Sequence, residues 1–131
     1  MEGYRRGRVS SVDLIRGFVR VTYPQDNNYV SDWLPLLASE YNIPAPGDYV
    51  ATVLDKDGGG VCMGKIYSYS QPPPRTDGGY EKDIDTVKIT KQGNQFRVDF
   101  GDGAYISYTD GTLTFNATKI VLNGYTPQEE T

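Results

Sequence analysis

The sequence predicts an all-β chain: a small N-terminal barrel followed by a C-terminal run of hairpins. Three observations carry this. Glycine (15) and proline (8) are well above the ~12 % of an average chain, so turns are many. Aromatic residues are plentiful, with 11 Tyr, and no long helical period of apolar residues appears. The second half alternates apolar and polar residues between Asp-Gly, Asn-Gly and related turns. No apolar stretch approaches the ~18 residues of a membrane helix.

The first 69 residues read as a compact β domain. Arg8 to Val12 is a short candidate strand, and Phe18 to Tyr23 is a clear one, β-branched and aromatic, stopped by Pro24. Residues 25–28 are turn chemistry. An apolar stretch from Tyr29 to Leu37 has Trp33 at its centre, and at most one helical turn is expected, over Leu36 to Tyr41. Pro44 to Asp48 is a rigid turn into the strand Tyr49 to Leu54. After the loop Asp55 to Gly60, a further strand runs from Val61 to Tyr67. Five short strands with irregular loops predict a small Greek-key barrel of the OB type.

Residues 70–85 read as a linker, stiffened by three prolines and loosened by two glycines. Residues 86–131 read as a β meander with strands beginning near Val87, Phe96, Ala104, Leu113 and Ile120. Its alternation puts Phe96, Val98, Phe100, Ile106, Leu113 and Phe115 on one apolar side. A 46-residue meander has nothing of its own to cover that side, so covering by another copy is the expected solution, and these six residues are the expected oligomer core. The polar tail, residues 123–131, is expected to fray.

Composition excludes several chemistries. There is no histidine, so Ser-His-Asp and Cys-His catalysis and His-ligated metal are impossible. The lone Cys62 lies in an apolar run and reads as a buried, inert thiol. The start of the chain lacks the apolar core of a signal peptide, and synthesis in a reducing cytoplasm is expected. Residues 59–65 match the GxxxxGK spacing of a phosphate loop, but Ile66 stands where Ser or Thr must hold magnesium, and the segment reads as turn then strand. Asp55-Lys56-Asp57-Gly58 starts like a calcium loop and fails at Gly59 and Ile66. The close pairs Asp83/Asp85 and Asp99/Asp102 could serve a carboxylate hydrolase only in an apolar setting, and they sit in linker and turn. No enzyme, metal or cofactor is expected.

Charge is uneven. Residues 1–20 carry five arginines and a net of +3, and residues 21–131 carry −7. Such an acidic body repels phosphate backbones, so no nucleic-acid partner is expected and the tyrosines read as core and protein interface.

Four segments, in order, resemble the OB-fold domain of the phage baseplate assembly protein V family, which forms the central spike of contractile tails, phage-tail-like bacteriocins and type VI secretion systems. They are Arg6-Gly7-Arg8-Val9 with Phe18 to Pro24, then Val30-Ser31-Asp32-Trp33-Leu34-Pro35, then Pro46 to Val50, and last Gly60 to Tyr67. The second half is similar by rhythm to that family's intertwined trimeric β-prism or β-helix. The resemblance implies a non-enzymatic homotrimer in a virion or bacteriocin particle. It implies docking on a baseplate hub below the tail tube, with Arg5, Arg6, Arg8, Tyr29, Trp33 and Leu34 facing hub or neighbouring subunits. The spike end would contact the target cell envelope. It departs from the family in lacking room for a lysozyme-like domain and in lacking the His-x-His pair that holds iron at many tips. The tip would then be blunt or capped by another protein.

Overall fold

The computed structural model describes residues 2–124 and divides into two compact units between Pro73 and Pro74. Both are antiparallel β-sheets, and no α-helix occurs among the described residues. The expected frayed tail lies outside the described residues except for Asn123 and Gly124.

In the first unit the strands are β1 (Gly3–Asp13), β2 (Phe18–Tyr23), β3 (Tyr29–Val30), β4 (Leu34–Pro35), β5 (Tyr49–Leu54) and β6 (Gly60–Lys65). Their order is β3-β2-β1-β5-β6, with β4 also on β2. Strand β1 is long because it serves two partners. Gly3 to Arg8 pairs with β5, and Arg8 to Asp13 pairs with β2. A register shift between Val9 and Ser11 bends the strand between these two tasks. Just past β4, Leu36 bridges Cys62 of β6 in the parallel sense, which closes the sheet on itself.

Alternation decides what fills the interior. Val19, Val21 and Tyr23 of β2, Val50 and Leu54 of β5, and Val9, Leu34 and Cys62 form one buried cluster, with Val12 and Leu36 packed against it. Two polar groups join it only because each is satisfied. The Thr52 hydroxyl donates to Arg5 O at 2.9 Å, so its single proton is used. The buried Tyr23 hydroxyl must therefore donate to Thr52 Oγ1, at 2.8 Å. Burial pushes the Cys62 thiol upward, away from the reactive thiolate.

Residues 36–41 do not form the one helical turn that the sequence allowed there. Leu36 is held in extended pairing by its bridge to Cys62 and by donating its N–H to Gly17 O at 3.0 Å. A 3-10 turn forms instead at Pro24–Asp26, followed by Asn27 and Asn28 in the left-handed region. Strand β6 also stops earlier than expected. The Gln71 side chain takes up the backbone there, accepting from Tyr49 N at 3.0 Å and donating to Tyr49 O and Ile66 O at 2.9 and 2.6 Å.

The second unit is a meander of β7 (Tyr80–Ile84), β8 (Val87–Gln92), β9 (Gln95–Asp99), β10 (Tyr105–Thr109) and β11 (Thr112–Asn116), paired in the order β11-β10-β9-β8-β7. Three connections are two-residue turns: Asp85-Thr86, Gly93-Asn94 and Asp110-Gly111. Asp85, Gly93, Asp110 and Gly111 all have positive φ, which the right-handed strand twist demands of such turns. Five strands were expected, but not these five. The segment 80–84, read from sequence as linker, is a strand, because the Asp85-Thr86 turn returns Ile84 onto Val87. The strand expected near Ile120 is absent, and residues 120–122 lie outside the sheet.

Gly7 has no room for a side chain. A Cβ there would lie 2.5 Å from Thr22 O and 2.6 Å from Val21 Cγ1, inside the packed crossing of β1 over β2. Gly7→Ala is expected to cost about 1–3 kcal/mol through overpacking, a fall of roughly 5–20 °C in melting temperature, read by thermal denaturation.

Candidate functional site

Two surfaces contain the residues singled out in the sequence. On the second unit, cross-strand register settles which side chains share a face. One row runs Lys82, Ile89, Val98, Ile106, Phe115, and the next runs Tyr80, Lys91, Phe96, Tyr108, Leu113. Val87 and Ile84 continue that face. Of the six expected core residues, Phe96, Val98, Ile106, Leu113 and Phe115 stand in these rows, and Phe100 follows one residue beyond β9 at the same parity. The face is uncovered in the single chain: Leu113 and Phe115 are 58 % and 56 % exposed.

The opposite face is polar throughout, with rows Glu81, Thr90, Arg97, Ser107, Thr114 and Asp83, Lys88, Asp99, Tyr105, Asn116. Its charges are paired. Arg97 grips Asp99 with two bonds of 2.8 and 3.0 Å and lies over the Tyr105 ring at 3.7 Å. The alternation already put Val87, Ile89 and Tyr108 on this apolar face, whereas Tyr80 and Ile84, read as linker, were missed. The signal existed in the alternation Tyr80, Lys82, Ile84, but the neighbouring prolines and glycines masked it.

On the barrel unit, the expected interface residues divide. Arg6 and Arg8 point outward from β1 while Gly7 and Val9 point in. Arg8 donates to Gly47 O at 3.0 Å and lies over the Tyr49 ring at 5.3 Å. Arg5 is half-buried. Its Nε stands 3.9 Å from Asp26 Oδ2, an ion pair without a hydrogen bond. Tyr29 is partly exposed and stacks on Tyr23 at 6.2 Å. Trp33 is half-buried, with the guanidinium groups of Arg16 and Arg20 over it at 5.7 and 5.2 Å. Leu34 is fully buried in the core, so its side chain faces no partner. The apolar run around it hid that fact, since only the pairing of Leu34 with Val19 turns it inward.

The motifs weighed for chemistry have structural roles. Residues 60–65 of the GxxxxGK match form strand β6 and no helix follows, so no helix N-terminus faces a phosphate. Asp55 Oδ1 accepts from Asp57 N and Gly59 N, each at 2.9 Å, and so shapes its own turn. Asp102 Oδ1 accepts from Ala104 N at 3.0 Å in the same manner. No protein-family model matches this chain, and no curated protein matches it.

Two carboxyls of the second unit are shifted in opposite directions. The Arg75 guanidinium, bonded to Asp77 at 2.7 and 2.9 Å, together with Gly79 N, holds the Asp77 carboxyl at about 2. Glu81 is raised, first because it shares a hydrogen bond with Asp83 and then through desolvation. Lowered in the fold, Asp77 supports stability above the ordinary aspartate range near ~3.9, and that support fades as pH falls toward about 2. Glu81 acts oppositely: the fold binds its proton more readily, so its penalty is relieved as pH falls. Carboxyl-detected NMR titration is expected to place Asp77 below and Glu81 above their ordinary values, and Arg75→Ala should return Asp77 toward its ordinary value.

Proposed function

We propose that this chain is a non-enzymatic structural protein: the homotrimeric central spike of a contractile injection system baseplate, in a phage tail or phage-tail-like bacteriocin. The observation that carries the reading is the combination of a small closed barrel with a single-layer sheet whose apolar face leaves Tyr80, Phe96, Tyr108, Leu113 and Phe115 exposed. In this reading the barrel is a Greek-key barrel of the OB type. The β5 strand returns beside β1 and the Leu36–Cys62 bridge closes the wall, which supports that description. The barrel docks on a baseplate hub at the tail tube end through its arginine-rich wall. The sheets of three copies bring their apolar faces together as a β-prism that contacts the target cell envelope, directly or through a tip-capping protein. Assembly follows synthesis in the bacterial cytoplasm.

Each large apolar side chain fully buried contributes about 1.5–3 kcal/mol, which is available to this sheet only when the faces of different copies meet. The alternative is a free barrel binding single-stranded nucleic acid or oligosaccharide, which needs open aromatic faces for stacking. Arginines lie over Trp33 and Tyr49, which favours the structural reading.

Native mass spectrometry of the full chain is expected to give three copies. Phe115→Asp would place three charges among the apassembled apolar faces and is expected to release monomers. A monomeric wild-type chain, or a thermally stable trimer carrying Phe115→Asp, would overturn the reading.

A further inference from the structure

Three features of the second unit have no use within one chain. Residues 119–122, Lys-Ile-Val-Leu, hold three apolar residues in a row, two of them β-branched, yet no strand pairs with them, and Ile120, Val121 and Leu122 are 53, 62 and 63 % exposed. Strand β11 immediately before them pairs only with β10, so its outer edge is open. That edge, Thr112–Asn116, carries no charge. The edge at the other end of the sheet is different: β7 holds Glu81, Lys82 and Asp83 in succession, the kind of charge that blocks edge pairing.

We propose that residues 119–122 of one copy add as a sixth strand to the open β11 edge of a second copy. The inference rests on the trimeric reading above and names the contact that closes it. The side-chain period fits. A strand beside β11 that sets Ile120 and Leu122 next to Leu113 and Phe115 extends the apolar face. It also sets Lys119 and Val121 beside Thr112, Thr114 and Asn116 on the polar face. Backbone bonds supply the attachment and the alternating side chains set the register, as in other cases of strand addition.

The occupant is a second copy because the chain's own segment cannot reach that edge. Folding back onto its own β11 would need a tight turn at Ala117-Thr118, and two-residue hairpins need positive φ. No residue from 117 to 122 has positive φ, whereas Asp85, Gly93, Asp110 and Gly111 in the existing turns do. The segment therefore leaves the sheet it came from. Each copy then gives one strand and receives one, a head-to-tail contact that a three-fold ring closes without leaving an unused β11 edge.

The test is disulfide trapping in the full-length chain with Val121→Cys combined in turn with Thr112→Cys, Thr114→Cys or Asn116→Cys. These cover the registers that keep Val121 on the polar face. The native Cys62 is buried and stays silent. At least one pair is expected to give covalent ladders ending at three copies on non-reducing gels, with each single cysteine variant giving none. Val121→Pro, which removes a donor from the added strand, is expected to weaken association about tenfold. A disulfide confined to single chains would mean the segment folds back on its own sheet, and overturns the proposal. Free thiols in all three pairs of a protein that native mass shows to be trimeric overturn strand donation alone. A monomeric wild-type chain overturns the trimeric reading with it.

Discussion

A β-sheet with one apolar face must put that face against something, and in the second unit no second layer is present among the described residues. The rows from Tyr80 to Leu113 and from Ile89 to Phe115 are apolar apart from Lys91, while their reverse side is threaded with ion pairs. An ordinary amphipathic sheet hides such a face under a helix or a second sheet of its own chain. The missing layer leaves this face exposed in one copy, and the open β11 edge beside the unpaired Ile120-Val121-Leu122 segment is a second unmet surface.

The barrel unit solves the same problem by closure. Its wall curves because β1 is bent at Val9/Ser11 and shared between β5 and β2, and the wall meets itself at Leu36 and Cys62. A closed wall encloses its own core, so Val19, Val21, Tyr23 and Leu34 need no partner chain. What it leaves outside is chemically distinct: arginines set over aromatic rings along β1 and β2, with Arg16 bound back to Asp13 at 2.7 Å. Guanidinium groups held in this way keep their outer edges available for carboxylates while covering the rings beneath them.

Much was legible from residue order alone. β-Branched and aromatic composition bounded by turns located Phe18 to Tyr23 and Tyr49 to Leu54, period-two alternation located the strands from Phe96 to Phe115, and Asp110-Gly111 marked its hairpin. The apolar face was legible for the same reason, since side-chain parity follows directly from pairing across tight turns. Three features were not. Strand β7 was hidden by its proline- and glycine-rich neighbourhood, although Asp85 forms the turn that creates it. The Leu36 bridge to Cys62, formed where the sequence allowed a helical turn, is a long-range contact no local pattern contains. Residues 120–122 have the composition of a strand, and composition cannot report whether a partner edge is within reach.

The sequence by itself determined the all-β class, the absence of histidine chemistry, the two-part organisation and the alternation that makes one side of the second unit apolar. These are local properties: propensity, turn chemistry and parity act over a few residues. Tertiary structure decided which residues are spent internally and which are left over. Leu34, expected at an interface, is consumed by the core because it pairs with Val19. Arg16 and Arg20, which sequence did not single out, meet at Trp33 because the chain between 20 and 33 folds back across β2. Burial and pairing depend on contacts between residues far apart in the chain, and those are fixed only when the whole sheet has closed.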